Sequence, residues 1–206
     1  MISKGRPKSE EKNRQIAEAA AWLFINNGFE GTSMDHIADR AGVSKQTVYS
    51  HFRSKEDLFQ YAVSSKCVSY ELSREFVHSD RPLKQTLMEV ARRFNDLLMS
   101  EDSVHVHRLL VTSGEEHPAL PKLFFEAGPQ HMMDFVAEYL KEQVNLGRLA
   151  ISDFDTAAEQ FLCLVKGTAH MCALLNMPQN HDQDELERYL TSCVDMFVRA
   201  YTPGNH

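Results

Sequence analysis

Apolar residues recur at intervals of three and four along nearly the whole chain, and stretches that alternate apolar and polar residues one by one are almost absent. A period of 3.6 buries one stripe of a helix, whereas a half-buried strand needs a period of two. The pattern predicts an all-α protein of about nine helices. The first runs from about Ser9 to Asn26, with Ile16, Ala20, Leu23 and Phe24 on one face, and Asn26-Asn27-Gly28 stops it. A short helix follows Ser33, with Ile37, Ala38 and Ala41 inward. Gly42 breaks it, Ser44 caps a third helix reaching His51, and Ser54 opens a long fourth. Later, Arg81-Pro82 opens a helix, and Pro118, Pro121 and Pro129 force breaks. "HMMDFVAEYLKEQVNLG" ends at Gly147, and two last helices span Asp153 to Asn176 and Asp182 to Tyr201.

Two short helices joined by a glycine-containing turn and clamped by a preceding helix make a helix-turn-helix. On a 100° wheel Ser44, Val48 and Phe52 face inward. Gln46, Tyr49, Ser50 and Arg53 face out, flanked by Lys45 and Thr47. From Arg40 to Lys55 the chain carries four cations and no acid. These residue types suit the major groove, because Gln pairs bidentately with adenine and Lys donates to guanine. His51, Arg53 and Lys55 sit where such a helix leaves the groove beside the phosphates. The whole chain has a formal net charge of −7, yet residues 1–60 carry +1 and residues 61–206 carry −8. Salt screens a distant acidic body within about 8–10 Å, so net charge does not bar DNA binding.

The bulk numbers exclude several classes. With 206 residues the chain can bury a substantial core. Its longest wholly apolar run is Ala19 to Ile25, against the roughly 20 residues a membrane span needs. The N-terminus lacks the apolar segment of a secretory signal. Cys67, Cys163, Cys172 and Cys193 form no C-x-x-C pair, which fits small buried hydrophobes in a reducing cytoplasm. No nucleophile–base arrangement, phosphate loop, metal motif or cofactor motif is present, so a helical enzyme is disfavoured, and no metal or cofactor is assigned.

The stretch "AAAWLFINNGFEGTSMDHIADRAGVSKQTVYSHFRSKEDLF" resembles the DNA-binding domain of the TetR/AcrR (tetracycline-repressor) family. Leu23-Phe24, Gly28-Phe29, Thr32-Ser33, Ile37-Ala38, Ala41-Gly42-Val43, Tyr49-x-His51-Phe52 and Lys55-Glu56-x-Leu58 carry the match. "HPALPKLFFEAGPQHM", "AEYLKEQVNLGRLAISDFDTAAEQFLCLVKG" and the final helix resemble the C-terminal domain of the AefR-like subgroup. The resemblance implies a helix-turn-helix domain at 1–55 and a helical effector-binding and dimerisation domain at 56–206. It implies a non-catalytic cytoplasmic regulator, mostly a repressor, that binds a palindromic operator in double-stranded DNA as a homodimer and answers to an unidentified small, largely apolar ligand. By resemblance Lys45, Gln46, Thr47, Tyr49 and Ser50 read DNA, helped by Ser44, while Ser33, His51 and Lys55 contact its backbone. Lys4 and Arg6, in a basic "SKGRPK" arm, are candidates for a narrow minor groove. The alternative is a DNA-binding regulator or structural DNA-binding protein with no small-molecule effector.

In the distal domain the last two helices carry broad apolar stripes. Phe161, Val165, Gly167, Leu190, Val194 and Phe197 are the candidate interface of a four-helix bundle formed by two copies. Glu159, Lys166 and His170 fall on one stripe of the Asp153–Asn176 helix. Phe94, Leu97, Leu98, Met132, Phe135, Phe161 and His170 are candidate lining for an effector pocket, which would be mostly apolar with few polar anchors.

Overall fold

The computed structural model describes residues 6–71, 81–178 and 182–204, with side chains from Ser9 onward. Among these residues there is no strand. Eleven helices are described: α1 (Arg6–Asn27), α2 (Met34–Ala41), α3 (Lys45–His51), α4 (Lys55–Tyr70), α5 (Leu83–Met99), α6 (Glu101–Ser113), α7 (Ala119–Ala127), α8 (Pro129–Asn145), α9 (Phe154–Lys166), α10 (Ala169–Leu174) and α11 (Gln183–Tyr201). The count exceeds the expected nine partly because the helix read as Asp153–Asn176 is two, α9 and α10. No described helix is long and apolar enough to cross a membrane.

Packing divides the chain into two compact units, residues 1–66 with 105–128, and residues 67–104 with 129–206. A single cut at 55/56 therefore does not match the packing. The amino-terminal unit takes in most of α4, most of α6 and all of α7. The reason is hydrophobic: Leu110 of α6 and Leu120 of α7 are buried in the same cluster as Ile16, Phe24, Ile37, Val48 and Phe59. Phe24, Phe29 and Phe59 form an aromatic triad with ring centroids 5.3–5.7 Å apart. Each fully buried side chain of this size contributes roughly 1.5–3 kcal/mol, which is how helices as short as α2 and α3 are held.

Local chemistry sets the helix-turn-helix. Ser33 caps α2, its Oγ accepting from the His36 N–H. Gly42 ends α2 in the left-handed region (φ 63°, ψ 37°). The Gly42 N–H bonds the Asp39 carbonyl and the Val43 N–H bonds the Ala38 carbonyl, a Schellman closure. Two residues later Ser44 caps α3, its Oγ accepting from the Thr47 N–H at 3.1 Å. Val48 and Phe52 are buried, so α3 keeps the opposite face for solvent.

The second unit packs α5, α8, α9 and α11 around Leu87, Ala91, Val136, Leu140, Ala158, Phe161 and Val194. Arg92 of α5 pairs bidentately with Glu187 of α11, which holds that carboxyl below the usual range and the guanidinium above its own. Cys67 is buried here, and burial, with Glu71 nearby, pushes its thiol up to about 11.

Candidate nucleic-acid interface

The outward face of α3 carries Lys45, Gln46, Tyr49 and Ser50, all exposed. The side chain of Gln46 makes no hydrogen bond among the described residues, so both ends of its amide are open. Tyr49 projects its ring into solvent beside Lys45, whose Nζ lies 6.0 Å from the ring centroid. Thr47 is half-buried, and its hydroxyl meets the capping Ser44 Oγ at 2.8 Å. The Ser50 hydroxyl donates to the Thr47 carbonyl. The helix therefore offers two outward side chains, Gln46 in its first turn and Tyr49 three residues on, on a base made firm by the serine cap.

The cations are not disposed as their density in sequence suggests. Lys45 Nζ lies 2.7 and 2.9 Å from the two carboxylate oxygens of Asp35 in α2, and that hydrogen bond raises its pKa above the lysine range. Arg40 stacks its guanidinium 3.4 Å from the centroid of the exposed Trp22 ring. Lys55 departs furthest from its expected place as a phosphate contact. Its side chain is only 19% exposed, Nζ donates to the Phe29 carbonyl at 2.7 Å, and it lies 4.2 Å over the Phe29 ring. Lys55 thus ties the start of α4 to the turn after α1. Of the four cations from Arg40 to Lys55, Arg53 alone has a side chain with no partner among the described residues, and it is exposed.

His51 is half-buried, its Nδ1 meeting the Asn13 Oδ1 of α1 at 2.5 Å. Gln15, also on α1, donates to the Ala41 carbonyl. Periodicity gave no signal for Asn13, Gln15 or Asp35, because each acts across elements. Lys4 lies outside the described residues, as does the side chain of Arg6. The backbone of Arg6 already belongs to α1, so an extended arm does not reach that far.

Residues 16–62 match the TetR family of bacterial regulatory proteins, and residues 85–203 match the C-terminal domain of AefR-like transcriptional repressors. The chain belongs to the TetR family. This regulator is 25% identical over 168 residues to the HTH-type transcriptional regulator SrpR of Pseudomonas putida, covering 81% of this chain and 78% of that one. A TetR-family regulator from Mesorhizobium loti has a similar structure, with a TM-score of 0.76 and 29% identity over 96% of this chain and all of that one. The flavonoid-responsive regulator FrrA follows with 0.73 and 30%, covering 95% and 99%. The regulator is therefore a DNA-binding transcription factor with an amino-terminal helix-turn-helix and a helical carboxy-terminal domain.

In the regulator's second unit the sequence-based assignments need correction. Phe161, Val165, Leu190, Val194 and Phe197 are at most 2% exposed and form the protomer's own core. Almost none of their surface is left for another copy to meet, although Phe197 touches the floor of the hollow formed by the outer sides of these helices. The outer sides of the same helices carry Cys163, Leu164, Tyr189, Met196 and Ala200, which line a shallow apolar hollow. Gly167 has its free side filled by Tyr189. Leu97, Leu98, Met132 and His170 are buried, and Phe94 and Phe135 are half-buried against the core. Glu159 and Lys166 are exposed while His170 is buried, so the break at Gly167 divides the polar stripe.

Proposed function

We propose that this regulator binds a two-fold symmetric operator as a homodimer, represses the adjacent genes, and is released by a small, largely apolar molecule. It does so in the cytoplasm, by binding rather than catalysis. The observation that carries the reading is the outward face of α3, where exposed Gln46 and Tyr49 stand on a helix capped and clamped on its other sides. Gln46, Tyr49 and Lys45 are the base readers. Arg53, Ser33 and His51 are the groups left to steady the phosphates. One such helix reads few bases, so two copies with half-site centres about 34–36 Å apart supply the rest.

The exposed apolar sides of α9 and α11 support pairing of two copies into a four-helix bundle, through Leu164, Tyr189 and Met196 in place of the buried residues of the same helices. An AefR-like carboxy-terminal domain supports an effector site there, and likeness to a regulator that responds to flavonoids supports a small, largely apolar effector. Coupling would run through α4, which starts four residues after α3 ends and continues to Tyr70 without a linker. A ligand shifts operator affinity only by its differential affinity for the two states, typically 1–3 kcal/mol.

The test is operator selection from random duplexes, followed by Gln46→Ala. A palindrome with half-sites one helical turn apart is expected. The variant should lose about 1–3 kcal/mol at that site and keep its non-specific affinity. Unchanged operator binding by Gln46→Ala would remove α3 as the reading helix.

A further inference from the structure

We propose that Asp35 is a specificity-determining residue, which holds the Lys45 ammonium away from the phosphates of arbitrary DNA and leaves it usable only over a base edge. The inference rests on the reading of α3 as the recognition helix.

Asp35 lies in the first turn of α2 and Lys45 is the first residue of α3, ten positions on. The closed turn at Gly42 brings these two N-terminal turns together, and the ammonium spans both carboxylate oxygens at 2.7 and 2.9 Å. The side chains are 59% and 57% exposed, so the pair contributes little to folding. Lys45 is also at the unfavourable end of its own helix, because the N-terminus of α3 carries the positive end of the dipole. Helix stability therefore explains neither the lysine nor its pairing. Reading of DNA explains both.

An ammonium has three donors. Two face the carboxylate, so one remains for an acceptor such as guanine O6 or N7 without breaking the pair. A phosphate is a different partner. To neutralise it, Lys45 must leave Asp35, or bring the carboxylate close to a second negative charge. Asp35 thus penalises the sequence-independent contact while sparing the base contact. Arg40 on Trp22 and Lys55 on Phe29 are likewise engaged within the protein, so the surface around α3 is poor in free cations.

The experiment compares wild type, Asp35→Asn, Asp35→Ser, Lys45→Ala and the Asp35→Asn/Lys45→Ala double variant. Each binds the selected operator and a scrambled duplex across a salt titration, with thermal melting to confirm folding. Asp35→Asn should tighten scrambled-duplex binding about two- to five-fold at low salt, the size of an exposed ion pair. It should steepen the salt slope by about 0.9, one added phosphate contact, and lower the ratio of operator to scrambled affinity. In the Lys45→Ala background Asp35→Asn should leave the slope unchanged. An unchanged slope and ratio in both Asp35 variants, or an equal change with and without Lys45, overturns the proposal. Gln46→Ala in the same assay separates the two readings. If it binds operator like wild type, α3 is not the reader and both fall. If it loses operator while Asp35→Asn changes nothing, only the role of Asp35 falls.

Discussion

Lys55 stands in a stretch dense with positive charge, at a position that the family resemblance assigns to the DNA backbone. Its ammonium instead closes on the Phe29 carbonyl and ring and lies 3.9 Å from Glu30. A charged hydrogen bond to a carbonyl, here one that also accepts the Thr32 N–H at 3.3 Å, is worth about 1.5–3 kcal/mol when largely sheltered, and a cation over a ring adds somewhat less. Lys55→Ala should therefore lower unfolding free energy by about 1–2 kcal/mol in a urea titration. The salt slope of DNA binding by the folded variant should keep its wild-type value. A slope shallower by about 0.9 would return Lys55 to the phosphates. Gln46 and Tyr49 were legible from sequence because a helical wheel decides what faces out. The engagement of Lys45 and Lys55 was not, because their partners lie ten and twenty-six residues away in other elements.

Among the elements, the break between α9 and α10 shows where periodicity stops being informative. Apolar spacing runs on past Gly167, and a helix tolerates an interior glycine for about 1 kcal/mol. The structure nevertheless turns there, with Gly167 at φ 53° and ψ −155°, a region open in practice to glycine alone. The Leu164 carbonyl, freed by the break, accepts the Tyr189 hydroxyl at 2.7 Å and the Cys193 thiol at 3.4 Å, so α11 repairs what α9 gives up. A Cβ at position 167 would come within 2.6 Å of that tyrosine oxygen. Gly167→Ala should cost about 1–3 kcal/mol by denaturant titration. A variant as stable as wild type would mean that α9 and α10 can join into one helix.

At the scale of the molecule, the question is which sides of α9 and α11 another copy would meet. Phe161, Val194 and Phe197 already fill the protomer's core, while Leu164, Tyr189 and Met196 remain outside it. Met196→Glu should therefore yield a folded monomer in sedimentation, with a melting profile near wild type. Phe197→Glu should unfold the protein, since it buries a charge in a packed core. A Met196→Glu dimer as tight as wild type would move the interface elsewhere.

The helical class, the helix-turn-helix and the outward face of α3 were readable from the order of the amino acids. Each follows from contacts within a few residues: a 3.6-residue period, serine caps at Ser33 and Ser44, and a left-handed glycine at Gly42. The tertiary structure alone decided which stripe of α9 and α11 turns inward. Both helices are apolar over more than one face, and only packing against α5 and α8 selects between them. It also decided which cations remain open to DNA, because an ion pair such as Asp35–Lys45 depends on distance in space.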